Sequence, residues 1–178
     1  MLAPGPLLLD PLTTTLSSLE RELFAHPVVG GAVLFSRNYE SIAQLRALLH
    51  EIHKIRPNLA IMVDQEGGSV QRFIEGFPQV AAMRDFGVAF ASEDKQLFSK
   101  LMTEFTAAMR ALAALGVTVN LAPVIDLQHN EQSFLYRRAI ADDATTTIAV
   151  AEQLINVMHA CGLKSSLKHF PGHGQVLE

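Results

Sequence analysis

Short apolar runs alternate along this chain with longer stretches in which apolar residues recur every three or four positions. Pro6-Leu7-Leu8-Leu9-Asp10 is apolar, ends in an acid before Pro11, and predicts a buried first strand. Leu16, Leu19, Leu23 and Phe24 then have helical spacing, and Ser17 with Glu20 forms a capping-box pattern; Pro27 stops that helix. Val28 to Phe35 predicts strand two, followed by the polar loop Ser36-Arg37-Asn38. Ser41 and Gln44 repeat the capping pattern ahead of Ile42, Leu45, Leu48, Leu49 and Ile52, which share one helical face until Arg56-Pro57-Asn58. Leu59 to Val63 is the most continuous apolar run and predicts a central parallel strand, with Asp64-Gln65-Glu66-Gly67-Gly68 directly after it.

An irregular stretch then runs to about Ala91, too long for an idle connection and read as an active-site flank. Ser92 is placed to cap the next helix, which carries Leu97, Leu101, Phe105, Met109 and Leu112 and closes at Gly116. Val117 to Leu121 predicts strand four, leading to Ala122-Pro123-Val124-Ile125-Asp126. Asp142 and Asp143 start a helix through Ile148, Leu154, Ile155 and Met158 that ends at Gly162, and a fifth strand follows. Strand and helix alternating in this way predict a parallel sheet with right-handed crossovers, either closed as a barrel or open and doubly wound. No Gly-x-Gly-x-x-Gly opens a helix after a strand, which lowers the weight of the dinucleotide-binding version. Polar residues gather after strands two to five, and a barrel builds its site on that one face. The expected class is therefore α/β, a (β/α)8 TIM-type barrel. Such a barrel takes eight strands and roughly 250 residues. Five strands are counted, so residues 1–178 are read as part of a single barrel domain, its edges completed by further chain or by a second copy.

Composition narrows the function classes. With 49% apolar and 18% charged residues the chain is globular. A net charge of -4 without a basic run argues against a nucleic-acid partner. Cys161 is the single cysteine, so no intramolecular disulfide forms; in its apolar stretch it reads as a buried, inert thiol. No basic region precedes an apolar run at Met1, and no apolar stretch reaches membrane-spanning length; a cytoplasmic protein without a membrane partner is expected.

The candidate chemistry lies at strand ends. Lys168-His169-Phe170-Pro171-Gly172-His173-Gly174 places two ionisable side chains where a strand becomes a loop, then forces a tight backbone path through Pro171 and two glycines. It reads as a ligand-gripping loop, or alternatively as a plain Gly-Pro turn with solvated side chains. Asp64, ending the strongest strand, can accept hydrogen bonds from a ligand's donors, and Arg72 offers a planar fork of donors. A helix cap or salt bridge for Asp64, and a surface ion pair for Arg72, remain the plainer alternatives. A metal held by His169 and His173 is disfavoured because no acidic or cysteine partner stands near them along the chain. No cofactor is indicated.

The motif Lys168 to Gly174, together with Val63-Asp64-Gln65-Glu66-Gly67-Gly68-Ser69-Val70-Gln71-Arg72, resembles glycoside hydrolase family 3 in its bacterial β-N-acetylglucosaminidase branch. The resemblance runs along the whole chain, carries the same barrel fold, and implies that residues 1–178 are the N-terminal part of a single barrel catalytic domain. It implies that Asp64, Arg72, Lys168 and His169 bind the sugar being cleaved, with His173 organising the loop behind them. Arg138 takes the position of a further family arginine, although Arg137 stands where the family usually has Asp, Ile140 where it has an aromatic, and residues 130–135 depart from the pattern. The implied activity is exo-acting release of N-acetylglucosamine from muropeptides of cell-wall recycling, by a retaining mechanism. A β-glucosidase-like family 3 hydrolase and a non-catalytic sugar-binding fragment are the alternatives. In the family an acid/base His follows Gly-His-Gly a few residues on, and the nucleophilic Asp stands on a later strand. Both are expected beyond Glu178, so no catalytic residue is assigned within the chain and the 178-residue polypeptide alone is expected to be inactive; neither Glu66 nor Glu178 is given a role.

Overall fold

In the computed structural model, residues 5–174 are described; Met1 and Glu178, which entered the sequence reading, lie outside them. The elements follow as β1 (Leu7–Leu9), α1 (Ser18–Ala25), β2 (Val29–Leu34), a 3-10 turn (Ser36–Asn38), α2 (Ile42–Ile55), β3 (Ala60–Val63), α3 (Met83–Ala91), α4 (Lys95–Leu115), β4 (Val119–Asn120), α5 (Ala144–Ala160) and β5 (Lys164–Ser165). The five strands pair in sequence order, β1-β2-β3-β4-β5, every pair parallel. Among the described residues β1 and β5 do not meet, and the sheet is the open portion of a TIM-type barrel. No helix among the described residues is long and apolar enough to cross a membrane.

Helix ends follow the capping signals closely. Ser17 Oγ accepts from the Glu20 backbone N–H while Glu20 accepts from the Ser17 N–H, a reciprocal box. At α2 only half of that pattern forms. Ser41 accepts from Gln44, but the Gln44 side chain takes the Glu40 N–H instead. Gly116 ends α4 in the left-handed region at φ 94°, and Asp143 caps α5 through the Thr146 N–H.

Several expectations are corrected. The segment to Ala91 is not irregular throughout, because its last nine residues form α3. Gly87 lies within this helix, where a Cβ would come within 2.0 Å of the Ile140 carbonyl oxygen. Close approach to the 137–141 segment accounts for glycine at that position. Ser92 ends α3, and Asp94 caps α4 in its place through the Leu97 N–H. Strand β1 is not buried: Leu7 and Leu8 are 49% and 47% exposed. A parallel strand is enclosed only when neighbours and helices cover both faces, and among the described residues β1 pairs on one side alone. Cys161 lies just past the end of α5 and is only half-buried.

The core sits between the sheet and its helices. Ile61 and Val63 of the central strand are fully enclosed, as are Ala32, Leu34, Ile52, Phe105, Leu112 and Leu154. Phe86 of α3 meets Phe105 of α4 edge-on at 6.1 Å between ring centres. This packing holds the carboxyl ends of β3, β4 and β5 side by side, and the candidate residues all project from that end.

Candidate active site

The segment after β3 is held by a buried amide lattice. Asn120 of β4 accepts from the Gln65 backbone N–H and donates to the Gln65 carbonyl, both at 3.0 Å. The Gln65 side chain accepts from the backbone N–H groups of Arg72 and Phe73 and donates to the Phe73 carbonyl. Gly67 and Gly68, at φ 117° and 56°, turn the chain between them. A Cβ on Gly67 would lie 2.2 Å from the Ala81 oxygen, so the turn is packed as well as bent. This lattice fixes both residues flanking Gln65, namely Asp64 and Glu66.

Lys168 arrives from the other side. Past β5 the chain stays beside the β4 extension, with the Ile125 N–H donating to the Lys168 carbonyl at 2.8 Å. Its ammonium lies 2.5 Å from Asp64 Oδ1 and 2.5 Å from Glu66 Oε1. Arg72 reaches Asp64 Oδ2 at 3.4 Å, and its buried Nε has no hydrogen-bond partner among the described residues. Arg138 grips Glu66 as a fork, Nε to Oε2 and a terminal nitrogen to Oε1, both at 2.9 Å. The hydrogen bonds to Glu66 raise the Arg138 pKa above its ordinary value against the effect of burial. The guanidinium also lies over the Phe134 ring at 5.4 Å. Asp64, Arg72, Arg138 and Lys168 thus share one charge cluster.

His169 has a different anchor. Its Nδ1 lies 2.6 Å from Asp126 Oδ2, the same oxygen accepts its backbone N–H at 3.1 Å, and Asp126 Oδ1 accepts the His173 backbone N–H at 2.7 Å. Burial pushes the Asp126 carboxyl upward, but the His169 and His173 bonds outweigh it and hold it below the usual carboxylate range. The His173 ring stands edge-on to both His169 and Phe134. Gln128 donates to the Gly174 carbonyl, so the 169–174 loop rests on residues 126–128. The Lys168–His169 and Phe170–Pro171 peptide bonds are cis. A cleft of about 690 Å³ opens here, lined in part by Asp126, Lys168 and His169.

Two carboxylates that sequence reasoning left without a role therefore organise this face. Glu66 is enclosed between Arg138 and Lys168, and Asp126 anchors the two histidines. Asp126 is also the acidic neighbour of His169 and His173 that the chain order does not reveal. Even so, no group of three or more His, Cys, Asp or Glu among the described residues is arranged to hold a metal ion. One signal was available: Asp126 ends an apolar run just as Asp64 does. Arg137 turns away from the cluster and pairs with Asp85 of α3 at 2.9 Å.

Chemically, the cluster presents carboxylate acceptors beside ammonium and guanidinium donors, next to a cleft that Lys168 and His169 line. Such a set matches a neutral polyol, whose hydroxyls donate and accept at once.

The family model for the glycosyl hydrolase family 3 N-terminal domain matches residues 9–178. A beta-hexosaminidase of Hydrogenovibrio crunogenus is 40% identical over 173 residues, covering 97% of this chain and 48% of that protein. A beta-hexosaminidase of Nitrosomonas eutropha is 41% identical over 174 residues, covering 97% and 50%. The chain spans about half the length of the curated relatives it matches. The crystal structure of NagZ from Neisseria gonorrhoeae in complex with N-trifluoroacetyl-D-glucosamine superposes with a TM-score of 0.88 at 34% identity, covering 98% of this chain and 52% of the other.

Proposed function

The chain belongs to glycosyl hydrolase family 3, and from that premise we propose that it forms the sugar-holding part of an exo-acting β-N-acetylhexosaminidase. Asp64, Arg72, Arg138, Lys168 and His169 grip the N-acetylglucosamine unit to be released, and His173 supports the loop from behind. The substrate is a muropeptide of peptidoglycan recycling, met in the cytoplasm. The observation that carries this reading is the meeting of Lys168 with Asp64 at 2.5 Å across 104 positions of sequence. Both come from segments that resemble the family's sugar-binding motifs.

In this reading Asp64 accepts from sugar hydroxyls while Lys168 and the Arg72 guanidinium donate to sugar oxygens. Bonds to charged partners are stronger than neutral ones and lose most when one partner is removed. Calorimetric titration of the protein with N-acetylglucosamine tests the grip. Asp64→Ala should weaken binding and, in the intact enzyme, remove several kcal/mol of transition-state stabilisation. Unchanged turnover of a chromogenic β-N-acetylglucosaminide by that variant would sink the assignment.

A second reading is favoured by one observation. Among the described residues the carboxylates at this face are already engaged, Asp64 and Glu66 by cations and Asp126 by imidazole and backbone donors. These residues are suited to holding a sugar rather than cleaving its bond. The 178-residue polypeptide is then a binder without turnover. Release of the chromogenic phenol by that polypeptide would overturn this second reading.

A further inference from the structure

Asp126 receives three hydrogen bonds, and only one of them involves a side chain that reaches the cleft. Its side chain is 2% exposed, and its lowered pKa keeps it ionised. An ionised carboxylate accepts hydrogen bonds and cannot donate. The 2.6 Å contact from Oδ2 to His169 Nδ1 therefore places a proton on Nδ1. The backbone N–H groups of His169 and His173, at 3.1 and 2.7 Å, fix the carboxylate plane, and the carboxylate fixes the ring. Nε2 of His169 makes no hydrogen bond among the described residues, while the side chain is one-third exposed and lines the cleft. In a neutral imidazole whose proton is on Nδ1, the other nitrogen is an acceptor.

Resting on the sugar-binding reading above, we infer that Asp126 is a positioning residue that holds His169 in its Nδ1–H tautomer, so that Nε2 accepts a hydrogen bond from one sugar hydroxyl. This divides labour within the loop. Lys168 supplies donors only, and His169 supplies an acceptor one residue later. A site built this way discriminates against a sugar whose hydroxyl at that position cannot donate, because an acceptor covered by the bound sugar is then left without a partner.

Two measurements test the inference. Nitrogen-15 correlation spectra of histidine-labelled protein, at a pH where the ring is neutral, should show His169 protonated on Nδ1. Asp126→Ala should move the proton to Nε2, the nitrogen that carries it in an unconstrained neutral imidazole, since no acceptor then faces Nδ1. A wild-type ring protonated on Nε2 overturns the inference, and this holds even if the variant fails to fold. The second measurement uses N-acetylglucosamine and its 3-, 4- and 6-deoxy and deoxyfluoro analogues. Fluorine accepts but does not donate, so at one position the fluoro analogue should bind as weakly as the deoxy analogue, about tenfold below the parent. In Asp126→Ala that penalty for fluorine should disappear. Fluoro analogues equal to the parent at every position would overturn the acceptor role. No binding of any sugar, with the tautomer as expected, would refute the sugar-binding reading and leave the control of His169 by Asp126 standing.

Discussion

Arg137 and Arg138 are neighbours in sequence, and each bonds a carboxylate at close range. Arg138 grips Glu66 through two different nitrogens at 2.9 Å, with side-chain exposures of 15% and 1%. Arg137 uses one nitrogen on both oxygens of Asp85, at 2.9 and 3.0 Å, and those side chains are 64% and 36% exposed. The difference lies in what replaces the partner if it is lost. Water solvates Arg137 or Asp85 at once, so their pairing contributes little beyond what solvent supplies. No such replacement is at hand for Arg138 and Lys168 around Glu66. Their charges were desolvated on folding and are stabilised by each other. The buried cluster also joins segments after β3, after β4 and after β5, whereas the exposed pair only pins the 130–140 loop to α3.

The largest effect should come from deleting the centre of the buried cluster. Glu66→Ala leaves Arg138 without its fork and Lys168 with Asp64 alone. Breaking a buried pair in this way typically destabilises by about 3–5 kcal/mol. Urea unfolding of the variant against the parent measures it, and a loss below about 1 kcal/mol would erase the contrast drawn with Arg137.

Acid should act next, through Asp126. The folded-state carboxyl is held below its ordinary value. A depressed carboxyl contributes stability that is fully present above the unfolded value of about 4 and fades as pH falls through the folded value. The stability difference between the protein and Asp126→Asn should therefore be greatest above about pH 4 and shrink as the solution is acidified further. Urea unfolding at a series of acidic pH values reads this directly. A difference that widens on acidification would show that the histidine loop does not depend on an ionised Asp126.

Much of this arrangement was legible in the chain order, and what was not has a common cause. Asp64 is marked by the apolar run it ends, and Lys168 by the Pro and Gly residues that shape its loop. Ser17, Gly116 and Asp143 announce helix ends because caps are local chemistry. Glu66 was passed over because its partners stand 72 and more positions away and nothing local requires a carboxylate there. Asp126 likewise meets its imidazole across 43 positions. Helix α3 was missed because Gly87 weakens local helix preference, while the closeness of Ile140 that calls for glycine is a tertiary fact. The exposure of β1 depends on which strands flank it, information that an apolar run does not contain.

The smallest effect, and the sharpest check on the comparison, belongs to Arg137. Arg137→Ala removes an exposed ion pair, and pairs of this kind are worth about 0.2–1 kcal/mol. A double-mutant cycle with Asp85→Ala isolates that coupling from the separate effects of each truncation. The coupling should fall further in about 1 M salt, where the screening length is about 3 Å. The parallel cycle on Glu66 and Arg138 should give a larger value that changes less with salt, because water and ions do not enter between those groups. Equal couplings in the two cycles, or equal sensitivity to salt, would mean that burial does not separate the neighbouring arginines. In that case Arg138 would be no more firmly placed than Arg137 is.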